Sequence, residues 1–264
     1  VSDYFHKAPK APGASWKIHQ HCVSPPEKQK ELENLRVHPL EFTAEDILAF
    51  VPDAGDIDQN VDGRLASLMK ITAECTTIHT TATHLLENEP WDFAAIYYDA
   101  IDHYSHGFMK YRTPQLPTIS DNDHRLYRGV VDMGYIYHDM MLKQLLTHVD
   151  DQTTVLLISD HGFHSDHLRP VAIPFEAAGP ASEHRDDGIF VAAGPRIRSK
   201  HVIHGANLLD VTPTILELCG LPVAADMDGR VLEDIFIDPP SIDTIDSWDT
   251  LAGNSGQHPT DRQL

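Results

Sequence analysis

The chain has 264 residues, 41% of them hydrophobic, enough for a sizeable core in one large domain or two small ones. Forty acidic against twenty basic residues give a formal charge of −20, which repels a phosphate backbone and an anionic lipid surface and excludes binding to a nucleic acid duplex or a membrane through a basic face. Small anionic substrates stay open, because a bound metal ion reverses the sign of the local field.

Residues 1–60 are broken by Pro9, Pro12, Pro25, Pro26, Pro39 and Pro52 and read as a loop-rich segment, a cap or an insertion, with short helices near residues 27–35 and 43–50. Thr43 followed three residues later by Asp46 is a plausible cap for the second of these. Residues 62–87 carry Leu65, Leu68, Met69, Ile71, Ile78 and Leu85 at helical spacing and predict a long amphipathic helix. Phe93-Ala94-Ala95-Ile96-Tyr97-Tyr98 is a short apolar and aromatic run, the composition of a buried strand. A second long helix is expected over residues 121–148. Residues 153–158 and 188–193 are two further β-runs, the latter bounded by Gly194-Pro195. Residues 208–218 read as a helix capped by Asp210 or Thr212, with Pro213 in its first turn and Gly220 as its stop. Residues 238–264 have no sustained periodicity and read as an irregular tail.

Strands alternating with long helices argue for an α/β fold, a sheet covered by helices on both faces, with ligands bound beyond the carboxyl ends of the strands. No apolar run approaches the roughly 20 residues of a membrane span and no basic-then-apolar leader opens the chain, so neither a transmembrane segment nor a signal peptide is expected. Cys22, Cys75 and Cys219 are far apart and form no C-x-x-C pair, which reads as buried small apolar residues rather than a disulfide framework or a cysteine zinc site.

Histidine is the outlier, at eighteen residues, and it clusters with acids. After the first expected strand comes Asp102-His103-Tyr104-Ser105-His106; after the second, Asp160-His161-Gly162; before the third, Glu183-His184-Arg185. On a helix Asp102 and His106 share one face at i and i+4 and can hold one metal together. Asp160 and His161 are adjacent, and Gly162 permits the turn that lets both converge. Each motif alone is more often a solvated pair or a turn; their placement at one expected sheet edge favours ligation. His164, His167 and Arg169 follow closely enough to line the same pocket, and Arg169 has the fork geometry for a phosphate. His103 reads as a neighbour of the ligands, Trp91 as packing, and Tyr104 as packing or as a ring over the substrate. Asp56, Asp58 and Asn60 imitate a calcium loop, but Val61 stands where its glycine belongs. His19-Gln20-His21, His79 and His84 read as solvent-facing.

The order D-x-x-x-H, then an apolar strand followed by Ser159-Asp160-His161-Gly162, then a histidine ahead of another strand, resembles the alkaline phosphatase superfamily and, within it, the type I phosphodiesterase/nucleotide pyrophosphatase branch. The resemblance runs over residues 91–235 and includes Gly188-Ile189-Phe190, Asp210-Val211-Thr212-Pro213-Thr214 and Asp226-Met227-Asp228-Gly229. It implies an alkaline-phosphatase-like sandwich with a central, mostly parallel sheet, spanning residues 1–237 as the C-terminal part of such a domain. It also implies two divalent metal ions, zinc first and manganese second. Asp102, His106 and His184 would hold one, and Asp160 with His161 would contribute to the other. The implied reaction is hydrolysis of a small phosphodiester or nucleotide pyrophosphate by a Thr or Ser nucleophile on the second metal. Phosphomonoesterase, sulfatase, phosphonate hydrolase and phosphomutase chemistry on the same scaffold, or a non-catalytic degenerate member, are the alternatives. The family places the nucleophile near an upstream Asp-Gly after a strand. Asp62-Gly63 follows a polar stretch instead, and Ser2, Ser15, Ser24, Thr43 and Ser67 are poor candidates. The nucleophile is therefore expected upstream of this chain, which by itself is expected to be inactive. No feature sets the oligomeric state.

Overall fold

The computed structural model describes residues 1–2, 4–7, 16, 18 and 21–250. In chain order the elements are α1 (Gln29–Glu33), α2 (Ala44–Phe50), α3 (Arg64–Asn88), α4 (Ala100–Phe108), α5 (Asp121–Tyr127), α6 (Val130–Leu145), β1 (Val155–Ile158), β2 (Gly162–Phe163), β3 (His184–Arg185), β4 (Phe190–Ala193), α7 (Val211–Leu218), β5 (Val223–Ala224) and β6 (Thr244–Ile245). They fall into two compact units: the described residues of Val1–Val149 with Phe163–Asp186, and Asp150–Gly162 with the described residues from Asp187 on.

The first unit is helical. The Thr43 hydroxyl accepts from the Asp46 N–H, and the Asp46 carboxylate accepts from the Thr43 N–H at 2.8 Å, so α2 starts with the reciprocal cap its sequence predicts. Helix α3 is 25 residues long and buries Leu65, Leu68 and Met69 as expected, while Ile71, Ile78 and Leu85 are only half-buried. Its buried face is partly polar. Thr72, Thr76, Thr80 and Thr83 each donate back to the carbonyl four residues earlier, at 2.7–3.0 Å, so Thr72 and Thr83 enter the core, and Thr76 and Thr80 its margin, with a hydrogen bond supplied by the helix itself. His79, expected to face solvent, is buried on this face, its ring nitrogens 2.9 Å from the Tyr98 hydroxyl and 3.0 Å from Gln144 Oε1. Those two partners come from distant segments, which is why spacing within α3 misplaced it. His84 is half-buried and lies 2.6 Å from Glu31 Oε1.

Helix α4 packs against α3 and α6 through Tyr104, which is buried with its hydroxyl 2.9 Å from Thr72 Oγ1. Opposite Tyr104 stands Gly134 of α6, where a Cβ would meet the ring at 2.6 Å. Tyr104 is thus a packing residue. The single helix expected over residues 121–148 is broken between Tyr127 and Val130, at Arg128 and Gly129, into α5 and α6. Around these helices Phe50, Val51, Phe108, Tyr111, Leu126 and Tyr127 complete the core. Asp62 serves as an anchor: its carboxylate accepts from Arg64 at 2.7 Å and from the Tyr127 hydroxyl at 2.8 Å, contacts that hold its carboxyl well below the usual range. Asp58 Oδ1 accepts from Asn60, and Asp56 pairs with Arg125 at 2.9 Å, so the imitation of a calcium loop is a hydrogen-bonded turn.

The expected strand over residues 93–98 does not form. Among the described residues the run is assigned to no strand, and Phe93 and Tyr97 are 58% and 77% exposed. Strand composition cannot supply the neighbouring edge that a strand needs. The expected central, mostly parallel sheet is likewise replaced, among the described residues, by three pairs: β1 with β4, β2 with β3 and β5 with β6.

In the second unit, β1 and β4 run antiparallel with Val155 opposite Ala193 and Ile158 opposite Phe190. Asn207 caps the turn Leu208–Asp210 that leads into α7, in place of the expected Asp210 or Thr212 side chain. Helix α7 stops at Gly220, whose φ of +69° suits glycine. A small core of Ile197, Val231, Leu232, Ile235 and Phe236 lies beside it. Part of the expected irregular tail is ordered: β6 pairs in parallel with β5. Cys22 and Cys75 are buried as expected, but Cys219 is exposed. No described helix is long and apolar enough to cross a membrane.

Gly134→Ala is expected to destabilise the protein. Alanine gains ~1 kcal/mol over glycine in a helix interior, but overpacking against a pinned ring costs ~1–3 kcal/mol. A fall of a few degrees in the thermal midpoint is the expected outcome; a rise would show that Tyr104 moves freely.

His138 supplies a pH prediction. Burial depresses its pKa, against the opposing hydrogen bond to the Gly134 carbonyl at 2.8 Å. The folded state therefore binds its proton less readily than the unfolded chain, whose histidines titrate near ~6.5. Its contribution is present above that pH and lost as the pH falls toward the folded pKa. Urea titrations should show wild type losing more stability between pH 7 and pH 5 than His138→Gln; equal losses would contradict this.

Candidate metal centre

Three of the residues singled out by their motifs come together within the first unit. Helix α4 begins after Asp99 and places Asp102 and His106 one turn apart on the same side. His184 opens β3. His106 Nε2 is 3.3 Å from Asp102 Oδ1 and 3.0 Å from His184 Nε2, and His184 Nε2 is 3.6 Å from the same Asp102 oxygen. Tetrahedral ligands at the ~2.0–2.1 Å distances of zinc lie ~3.3 Å apart. The three atoms form a triangle of that size, so the donor set fits a divalent ion by both chemistry and spacing. The side chains of Asp102, His106 and His184 are 33%, 25% and 24% exposed, while the Asp102 Oδ1 atom at the triangle is itself buried.

Glu183, which the sequence reading left without a role, lies behind this triangle. Its Oε2 is 2.8 Å from His106 Nδ1, and its side chain is only 7% exposed. Phe163 packs edge-on against both imidazoles, with ring centroids 5.0 Å from His106 and 4.9 Å from His184. The chain on either side of this wall is stitched together where the His164 N–H donates to the Glu183 carbonyl at 2.9 Å. A clue was present, since Glu183 immediately precedes an expected ligand. No local pattern, however, links it to His106.

His103 lies with its Nε2 3.2 Å from the Asp99 carboxylate and its Nδ1 3.9 Å from Asp102 Oδ2, and the hydrogen bond to Asp99 raises its pKa. Burial opposes ionisation of Asp99, but hydrogen bonds from His103 and His6 and the nearby Lys7 ammonium outweigh it and hold the carboxyl well below its ordinary range. This charge cluster secures the entry to α4.

Arg169 receives a different role from the expected phosphate fork. It is buried, and its guanidinium donates to the carbonyls of Met109 at 2.9 Å, Arg112 at 2.7 Å and Pro114. Three backbone acceptors occupy the fork, so Arg169 ties the 163–186 segment to the 109–114 stretch that follows α4. His164 is half-buried and His167 exposed. Asp160 and His161 belong to the second unit, just after β1. The His161 N–H donates to Asp160 Oδ1 at 3.1 Å, and the Asp160 side chain is 61% exposed. Of the weak nucleophile candidates, Thr43 caps α2 and Ser67 donates to the Gly63 carbonyl. His19, Gln20 and Ser15 lie outside the described residues.

A carboxylate and two imidazoles gathered at one point are the donor set used by metal-dependent hydrolases. The family model for type I phosphodiesterase / nucleotide pyrophosphatase matches residues 3–207. That is most of the chain, which therefore belongs to this family, and the family suggests a phosphoric ester hydrolase. No solved structure matches it.

Proposed function

We propose that the chain forms part of a metal-dependent hydrolase of phosphodiester or nucleotide pyrophosphate bonds, and that Asp102, His106 and His184 hold one divalent ion, zinc or manganese. The observation carrying this reading is the triangle of Asp102 Oδ1, His106 Nε2 and His184 Nε2, with edges of 3.0–3.6 Å. A metal bound there would neutralise phosphate charge and polarise the ester oxygen. The protein's own part is to aim the donors. Helix α4 fixes two of them at i and i+4, the turn before β3 presents the third, and Phe163 limits the rotation of both rings.

Family resemblance supports assigning Asp160 and His161 to a second ion. It also supports a Thr or Ser nucleophile from a segment upstream of this chain, consistent with the structural commitments of Thr43 and Ser67. Residues 1–237 are, in this reading, the C-terminal part of the catalytic domain. The strong negative charge of the chain makes the metals the source of attraction for an anionic substrate.

In the intact enzyme, assayed on matched diester, monoester and sulfate substrates, the diester or pyrophosphate is expected to turn over fastest. His184→Ala and His161→Ala are each expected to lower that turnover by orders of magnitude. Near-normal rates in either variant would remove that residue from the ligand set, and preference for the sulfate would overturn the substrate class.

A further inference from the structure

We infer that Glu183 is the positioning residue of the metal centre: it fixes the tautomer and the ring orientation of His106, so that Nε2 presents a lone pair to the ion. The inference rests on the reading that Asp102, His106 and His184 bind metal. It adds a role for a residue that the sequence marks only as the neighbour of an expected ligand.

A carboxylate oxygen 2.8 Å from an imidazole nitrogen can only accept, so His106 Nδ1 carries the hydrogen. In the neutral ring Nε2 is then bare, and Nε2 is the atom that faces Asp102 Oδ1 and His184 Nε2. The opposite tautomer would aim an N–H at the ion position and leave the Glu183 oxygen facing a lone pair. Histidine ligands commonly donate their second ring N–H to a carboxylate in this manner, and loss of the carboxylate costs about 10–100-fold in metal affinity.

The location of Glu183 suits this task. It is 6% exposed, so few water molecules compete for its oxygens. It ends the 3-10 turn Gly179–Glu183, and its own carbonyl is held by the His164 N–H at 2.9 Å. Being adjacent to His184, it lets one short rigid segment deliver a ligand and also brace the ligand contributed by α4. Phe163 closes the remaining side of both rings and has no hydrogen-bonding group with which to replace Glu183.

The test uses the 264-residue chain as wild type, Glu183→Ala, Glu183→Leu, Glu183→Gln and His184→Ala, with circular dichroism as the check on folding. Zinc affinity is measured by chelator competition, and the His106 tautomer of the metal-free wild type by 15N NMR. The expected result is an Nδ1–H tautomer for His106, loss of binding in His184→Ala, and affinity about 10–100-fold weaker in Glu183→Ala or Glu183→Leu. Glu183→Gln, whose amide oxygen still accepts from Nδ1–H, should recover most of that loss, as a merely space-filling role would not require. Wild-type affinity in a folded Glu183→Ala or Glu183→Leu, with His184→Ala inactive in binding, would overturn the inference and leave the metal reading standing. An Nε2–H tautomer in the wild type would overturn it without any variant. Absence of zinc binding by the wild type would instead overturn the metal reading on which it rests.

Discussion

The candidate centre depends on the burial of one side chain. Tyr104 sits between the two donors that α4 supplies, and it faces the other way, into the gap between α3 and α6. Burying a ring of this kind removes ~150–250 Å² from water, worth roughly 4–6 kcal/mol as an upper estimate. Its hydroxyl contact with Thr72 adds only ~1 kcal/mol. Packing therefore sets where α4 lies, and the hydrogen bond sets how the ring is turned. With Tyr104 inward, helical periodicity carries Asp102 and His106 round to the other side, where they stand one turn apart.

The second requirement is a segment that brings His184 to the same point. Residues 163–186 form a long excursion held by polar anchors more than by apolar burial: Phe175 and Leu168 are exposed, while Arg169 is buried with its guanidinium on three carbonyls of the 109–114 stretch that follows α4. The buried guanidinium is costly to desolvate, and the carbonyl acceptors offset that cost. One consequence is that the anchor of the segment and the helix carrying two donors share a base. A second is that the residue best suited by chemistry to grip a phosphate is committed to structure.

Much of this was legible in the sequence, and what was missed shares one cause. The cap of α2, the length of α3, the strands at 155–158 and 190–193 and the stop of α7 are set by neighbours within a few residues, and local patterns found them. The donors Asp102, His106 and His184 were marked by their types and by family resemblance, and the structure brings them together. What sequence could not show depends on partners far along the chain. The run at 93–98 has strand composition and, among the described residues, is assigned to no strand; His79 is drawn inward by Tyr98 and Gln144; Glu183 reaches His106 across 77 positions; Arg169 has the right chemistry for an anion and the wrong neighbours. Motifs name the donors but do not report which neighbours orient or occupy them.

Two imidazoles and a carboxylate of the first unit are proposed to share one ion. Zinc K-edge X-ray absorption on the chain loaded with one equivalent tests this directly. The expected spectrum has nitrogen and oxygen neighbours at ~2.0–2.1 Å with the outer-shell scattering of at least two imidazole rings, reduced by one ring in His106→Ala. A shell made only of oxygens, or one that His106→Ala leaves unchanged, would contradict it.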